Sequence, residues 1–269
     1  MVLKVDEKLA ASWSTGEVIE RWHELFQGTP QSQSYLAGGL LHEVEQDLLE
    51  EQVALWRGRL TSISWFMGRL NEHIARKANE EDQCSGRFWE GRFKSQALLD
   101  EAAVLSCMTY VDLNPIRAGL AETPEASDYT SIQRRIQALQ AADAKIHPSA
   151  EQGAALPLTQ PPKLLAFVGS ERESMPKGIP FKLRDYLELV NWTGQAVRED
   201  KRGAIPEGLP PILERLGIGA DAWMRLATEF EASFRIWVGR PERVLQTCQR
   251  LGYERARGIG ACRRLFPPG

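Results

Sequence analysis

Hydrophobic residues recur at helical spacing along most of this chain. Residues 16–28 place Val18, Ile19 and Trp22 on one side of a predicted helix, and Gly28 ends it. The same spacing predicts long helices over residues 34–56, 60–78, 101–113 and 130–146. It also predicts shorter helices near residues 181–190, 213–216, 223–234 and 243–251.

Two segments have patterns that favour β-structure. The first five residues, MVLKV, are typical of a strand fragment, which has no partner within its own length. Residues 88–99, FWEGRFKSQALL, alternate enough to predict a strand or hairpin, with Gly91 at a turn or bulge. The expected fold class is therefore α+β and mostly helical.

The predicted helix over 101–113 has clear boundary signals. Asp100 is a suitable N-cap, because its carboxylate can accept from the free N–H groups of the first turn. Pro115 cannot continue the helix, and Gly119 suits the exit turn. The helix is therefore expected to end at the Asn114–Pro115 pair.

A segment rich in proline, glycine, alanine and polar residues divides the chain in sequence. It runs over 148–163, PSAEQGAALPLTQPPK, and is typical of a linker. We therefore predict a first domain over 1–147 and a helical accessory domain over 164–269.

Composition excludes several classes of protein. The net charge is −3, so the chain is not a polycation, although basic residues cluster locally. No apolar run approaches the ~18 residues that span a bilayer, and the first ten residues lack a secretory apolar region. The four cysteines have no CxxC spacing, which favours free thiols. We expect a cytoplasmic protein without a membrane partner.

One segment, CMTYVDLNPIRAGL at 107–120, has the residues for phosphoryl chemistry. Tyr110 and Asn114 are four residues apart, so a helix would place them on one face, with Asp112 elsewhere. The phenol has a reference pKa near ~10 and needs a metal, a base or a cation to act at neutral pH. The plainer interpretation is a core tyrosine followed by a helix stop.

A second segment, 86–96, mixes aromatic and basic side chains. Arg87, Arg92 and Lys94 lie among Phe88 and Trp89. Such a mixture suits single-stranded nucleic acid, because bases stack on the rings while the cations follow the phosphates. A half-buried strand with a solvated face explains the same pattern.

Together the two segments resemble a known family. Arg-Phe-Trp-Glu at 87–90, followed by Tyr-x-x-x-Asn-Pro-x-x-x-Gly at 110–119, is similar to the REP-associated tyrosine transposases of bacteria. These belong to the single-tyrosine HUH transposase superfamily. The resemblance covers about residues 60–135 and says little about 164–269.

The resemblance implies a function and a set of site residues. Tyr110 would be the nucleophile that becomes joined to a DNA 5′ phosphate, and Asn114 would help to hold Mg²⁺ or Mn²⁺. The substrate would be single-stranded DNA beside a hairpin, and a homodimer is compatible with the family. We expect the nucleic acid to contact a basic-aromatic set of residues: Arg87, Trp89, Arg92, Lys94 and Arg117.

The chain departs from the family at its metal ligands. The family's two histidines form a His-x-His motif, and none of His23, His42, His73 and His147 has that spacing. We therefore expect a ferredoxin-like core truncated before the motif, with impaired cleavage. Either the natural start lies upstream, or the chain is a remnant of a mobile element.

Two alternatives to a transposase stay open at this point. One is a non-catalytic DNA-binding remnant or regulator, and the other is a helical interaction protein without a nucleic-acid partner. Residues 235–264 are rich in arginine, which suits either a helix-turn-helix-like DNA reader or a solvated surface.

Overall fold

The computed structural model describes residues 1–143, 160–161, 164–169, 178–197 and 208–266. Within these residues the protein is mostly helical with a small sheet, which confirms the predicted class at this level. The chain divides into two compact units. The N-terminal unit is Leu3–Lys94, and the C-terminal unit is Met1–Val2 with Ser95–Gly269.

Five helices form the N-terminal unit. They are α1 (Glu7–Ser12), α2 (Thr15–His23), α3 (Pro30–Leu36), α4 (Glu43–Leu60) and α5 (Ile63–Glu81). Their starts follow from the sequence, since a Ser14–Glu17 capping box begins α2 and Thr29 caps α3 ahead of its first-turn proline.

The core of this unit is small and aromatic. Trp22 of α2 stacks on Trp56 of α4, with 4.9 Å between ring centroids. Val18, Ile19 and Leu49 are buried beside them. The helix α5 follows with no buried residue, although its sequence is amphipathic. The buried residues of this core therefore come from α2 and α4, and Trp65 of α5 packs against them, with its ring centroid 5.2 Å from that of Trp22.

Several predictions for residues 1–99 need correction. The strand predicted over 1–5 is wrong, since this segment has no regular structure and Asp6 caps α1 instead. The helix predicted over 34–56 is two helices, because the chain turns at Gly38, where φ is 75°. The strand or hairpin predicted over 88–99 is reduced to Ala97–Leu98. Alternation predicts a strand only where a partner strand pairs with it.

Eight helices and two short strands are described in the C-terminal unit. They are β1 (Ala97–Leu98), α6 (Glu101–Asp112), α7 (Asn114–Arg117), α8 (Ser131–Asp143), α9 (Leu183–Val197), α10 (Pro211–Leu216), α11 (Ala220–Ser233), β2 (Trp237–Val238), α12 (Pro241–Arg250) and α13 (Ile259–Leu265). The strands pair in parallel, with Ala97 opposite Trp237 and Leu98 opposite Val238.

A single core runs through the C-terminal unit. It joins α6 residues such as Leu105 to α9 and α11 residues such as Leu189 and Trp223, all fully buried. Residues 95–143 therefore share a core with residues from beyond the predicted linker. The compact units divide at Lys94 and Ser95, so they do not coincide with the predicted domains 1–147 and 164–269.

Part of the predicted linker lies outside the described residues, namely 148–159 and 162–163. Its character therefore stays a prediction. Proline and glycine content marks such segments in sequence, whereas the packing of α6 against α11 leaves no mark in composition. Of the helices that the structure describes, none combines the length and the apolar character needed to cross a bilayer.

Candidate functional site

The predicted nucleophile lies near the end of α6. Asp100 caps this helix by accepting a hydrogen bond from the backbone N–H of Ala103 at 2.9 Å, as predicted. The helix ends at Asp112, one residue earlier than expected, and α7 begins at once with Asn114. A single residue, Leu113, separates the two helices, and Tyr110 near the end of α6 lies against Arg117 at the end of α7.

Tyr110 is half-buried, and two side chains hold its ring. The ring of Phe230 in α11 lies 5.7 Å away between centroids. The guanidinium carbon of Arg117 lies 3.6 Å from the centre of the tyrosine ring, which is a close cation–π contact. Tyr110 is thus neither sealed in the core nor freely solvated.

Arg117 is anchored by two further hydrogen bonds. Nη1 donates to the backbone oxygen of Ala227 at 2.8 Å, and Nη2 donates to Oδ1 of Asn114 at 2.8 Å. Burial lowers the pKa of Arg117, and the contact with Tyr110 raises it. Since arginine stays charged at any physiological pH, a fixed cation lies against the phenol.

Asn114 is exposed at the start of α7. It does not share a helix with Tyr110, so the predicted placement on one face of one helix is wrong. The physical reason is Pro115, whose ring favours the first turn of a new helix over the last turn of the old one. Asn114 is instead linked to Tyr110 through Arg117.

The residues around Tyr110 do not fit a divalent metal. Oδ1 of Asn114 accepts a hydrogen bond from a guanidinium, whose charge repels a second cation. Across the described part of the chain, no three His, Cys, Asp or Glu side chains are grouped closely enough to hold a metal ion. His73, which lies on α5, is exposed.

A buried polar cluster, centred on Asp112 of the same helix, was not predicted. Asp112 is 1% exposed, and its carboxylate accepts from the hydroxyls of Ser131 at 2.8 Å and Tyr186 at 2.6 Å. Burial raises the pKa of Asp112, and these hydrogen bonds lower it. The carboxylate also accepts from the N–H of Ile132 at 3.3 Å, so it caps α8 from a distance in sequence.

Arg135 of α8 is the positive partner of this cluster. It is 2% exposed, its Nη2 donates to the oxygen of Leu165 at 2.9 Å, and it lies over the ring of Phe167. Its Nε and Nη1 atoms have no hydrogen-bond partner. The cluster joins α6, α8 and α9, and we interpret it as structural. The signal in the sequence was a carboxylate within the apolar run CMTYVDL.

Residues 86–94 of the basic-aromatic segment lie in the N-terminal unit, and most of them are exposed. Arg87 donates from Nε to the oxygen of Trp89 and from Nη2 to the oxygen of Glu90, both at 2.8 Å. Trp89 donates from Nε1 to the oxygen of Asn71 in α5 at 2.9 Å and packs edge-on against Phe88. The turn is therefore folded back on α5 with both rings 38–43% exposed.

The predicted site residues fall into two groups. Tyr110, Asn114 and Arg117 are brought together in the C-terminal unit. Arg87 and Trp89 are brought together in the N-terminal unit, where Arg92 and Lys94 are also exposed. The resemblance implied one DNA path over both groups, and this stays a prediction.

A cavity with a volume of about 500 Å³ lies just after α7. It is lined by small and polar residues: Gly119, Leu120, Ala121, Glu122, Thr123 and Ala126. Without a cation in its lining it does not suit a phosphate backbone, and Tyr110 does not line it.

Comparisons with known proteins add no family to this picture. No protein-family model matches the chain, and neither the curated proteins nor the solved structures contain a match.

Proposed function

We propose that this chain is a DNA-binding protein of the tyrosine-transposase type, in which Tyr110 acts on single-stranded DNA beside a hairpin. One observation carries the proposal: a half-buried tyrosine has a fixed guanidinium 3.6 Å from the centre of its ring. Because this cation is anchored beside the tyrosine, it can attract the phosphate group that the phenol would attack.

The proposed reaction is a transesterification. The phenolic oxygen of Tyr110 forms a bond to phosphorus, and the bond from phosphorus to the DNA 3′ oxygen breaks. The proton of the phenol ends on that 3′ oxygen, so the products are a 5′-phosphotyrosine and a free 3′ hydroxyl. Arg117 would stabilise the extra negative charge on the phosphoryl oxygens during the transfer.

The DNA-binding part of the proposal rests on the exposed basic-aromatic segment. Phe88 and Trp89 present partly exposed rings beside Arg87 and Arg92, which suits stacked bases with phosphates close by. A ferredoxin-like origin for the core is also proposed, on the sequence resemblance over residues 60–135 alone.

A non-catalytic DNA-binding protein is the second candidate, and one observation favours it. Asn114, the implied metal ligand, already accepts a hydrogen bond from Arg117. A protein that kept the basic-aromatic segment without a metal centre would bind DNA and leave it intact. It could act as a regulator at the sites that a transposase uses.

Covalent capture of DNA separates the two candidates. The chain is incubated with a hairpin oligonucleotide that carries a single-stranded flank and a label at its 3′ end, with Mg²⁺, Mn²⁺ or EDTA. The first candidate predicts a labelled band at the mass of the protein in denaturing gels. Tyr110→Phe abolishes this band, whereas Tyr129→Phe, at a fully exposed tyrosine, leaves it unchanged.

Each outcome has a definite meaning. An adduct that persists in Tyr110→Phe rules out the proposed nucleophile. Salt-dependent binding of the oligonucleotide without any adduct supports the second candidate. An absence of binding at low salt contradicts both and leaves a helical interaction protein.

A further inference from the structure

Positive charge is concentrated at the C-terminal end of the described chain. Residues 235–266 contain eight arginines, two glutamates and no lysine or aspartate, so eight positive charges less two negative give +6. The whole chain has a net charge of −3, so everything outside this segment is strongly acidic on balance. Such segregation creates a local positive field on an acidic protein.

The fold of this segment leaves the arginines on the surface. Val244 and Cys248 of α12, and Cys262 and Leu265 of α13, are buried in the core. Most residues between Val244 and Cys248, and both residues between Cys262 and Leu265, are exposed. The exposed arginines are Arg235, Arg243, Arg250, Arg255, Arg257, Arg263 and Arg264, and Arg240 is partly exposed. Together these eight residues form what we call the arginine surface.

Part of the arginine surface converges on a recess. Arg263 and Arg264 line a cavity of about 140 Å³ together with the turn at Gly217, Ile218 and Gly219. Arg240 reaches the same turn, since its Nη2 donates to the oxygen of Leu216 at 3.3 Å. The cavity could hold a few water molecules at ~30 Å³ each, which is also enough for one phosphate group.

Arginines also lie at the other end of α13. Gly258, which precedes the helix, is close to Arg235, because a Cβ built on it would lie 3.9 Å from the Cβ of that arginine. Arg255 and Arg257 lie in the turn just before Gly258. Seven residues of helix are ~10 Å long, which spans about three phosphates of one DNA strand.

Arginine in place of lysine indicates the kind of partner. A planar guanidinium binds two phosphate oxygens at once, whereas an ammonium group acts as a point charge. We propose that the arginine surface binds the phosphate backbone of duplex DNA, such as a hairpin stem, with Arg263 and Arg264 as its central contacts. The choice of DNA over RNA rests on the proposed function.

The test uses the full chain and a pair of matched double variants. Arg263→Gln with Arg264→Gln removes two charges from the arginine surface. Arg184→Gln with Arg225→Gln removes two charges from exposed positions on α9 and α11. Binding of a fluorescent blunt hairpin, without a single-stranded flank, is measured by anisotropy over a range of salt concentrations.

The first double variant is expected to bind the hairpin about 10-fold more weakly near physiological salt, uniformly across stem sequences. Its plot of log affinity against log salt should be shallower by about 2, since each lost phosphate contact removes close to one released counterion. The control pair should change affinity by less than about twofold. Equal losses in the two variants, or no loss in either, overturn the proposal, as does a preference for duplex RNA or anionic lipid vesicles.

This test is independent of DNA cleavage. It measures binding of a blunt hairpin, which has no single-stranded flank to be cleaved. If an adduct forms at Tyr110 but the arginine pair does not affect binding, the inference fails and the proposed reaction stands. If the arginine pair controls binding and no adduct forms, the inference stands and the proposed reaction fails.

Discussion

The two compact units differ most in how completely they bury their side chains. The N-terminal unit packs a few aromatic and aliphatic residues around Trp22 and Trp56, and its longest helix, α5, buries none. The C-terminal unit has a continuous core that encloses even charged groups, such as Asp112 and Arg135. In this unit hydrogen bonds from Ser131 and Tyr186 compensate the buried carboxylate of Asp112, whereas two nitrogens of Arg135 have no partner.

This difference matches the two kinds of chemistry proposed for the protein. A nucleophile must be held in one geometry, and Tyr110 lies on α6, most of whose residues are buried in the large core. Bases can stack on rings that adapt, and Phe88 and Trp89 lie in an exposed turn of the smaller unit. The comparison can be tested by matched substitutions in the two units.

The largest expected effects come from removing one tryptophan from each core. Trp223→Ala deletes a fully buried ring whose Nε1 donates to Thr193, so it should cost about 5 kcal/mol of unfolding free energy. Trp22→Ala removes a ring from a smaller core, which can collapse around the gap, and should cost about 3 kcal/mol. Hydrogen exchange followed by mass spectrometry, read on peptides from each unit, measures both. Equal losses of unfolding free energy would contradict the difference in packing between the two units.

Asp112→Ala should cost about 3–4 kcal/mol. It leaves the guanidinium of Arg135 buried without its counter-charge and the hydroxyl of Tyr186 without its acceptor. The matched control is Asp221→Ala on α11, where the carboxylate is exposed and the cost should stay below about 1 kcal/mol. Urea unfolding gives both values, and similar midpoints for the two variants would mean that the buried cluster contributes nothing.

Alkaline pH should weaken the C-terminal unit through Cys107. Burial raises the pKa of this thiol from 9.0 to about 11. The folded state therefore keeps the proton after the unfolded chain has lost it. The contribution of this proton to the free energy of unfolding is fully present below pH ~9 and is lost as pH rises through about 11. Between pH 8 and pH 10.5 the free energy of unfolding should fall by about 2 kcal/mol.

Two cysteine variants isolate this effect. Cys107→Ala should make urea unfolding less dependent on pH over that window, while Tyr186, whose pKa burial also raises, keeps part of the dependence. Cys84→Ala should leave the dependence unchanged, because Cys84 is exposed. An identical pH dependence in the two variants would contradict the assignment to Cys107.

The sequence predicted local features well where a few neighbouring residues decide them. The helix over 101–113, its Asp100 cap and its end near Pro115 all follow from short-range rules, and all are confirmed to within a residue. The strand over 88–99 was wrong because a strand depends on a partner, and the partner of Ala97–Leu98 is a distant pair of residues, Trp237 and Val238.

The sequence named candidate residues for the site but did not show which of them are in contact. The motif identified Tyr110 and Asn114, but the guanidinium that joins them belongs to Arg117, one turn of the next helix away. The cluster of Asp112 and Arg135 was missed for a similar reason. A buried charge is recognised only when its partner is known, and here the two residues lie on different helices.

The smallest expected effect tests whether α5 is as exposed as described. Phe66 is 40% exposed on this helix, so Phe66→Gln should change unfolding free energy by less than about 0.5 kcal/mol, since glutamine is at least as good a helix former. The matched change at a buried ring, Phe230→Gln on α11, should cost more than about 3 kcal/mol. Both are measured by urea unfolding at several protein concentrations. A cost above about 2 kcal/mol for Phe66→Gln that grows with protein concentration would mean that another copy of the chain covers this face. Part of the core of the smaller unit would then form only when two chains associate.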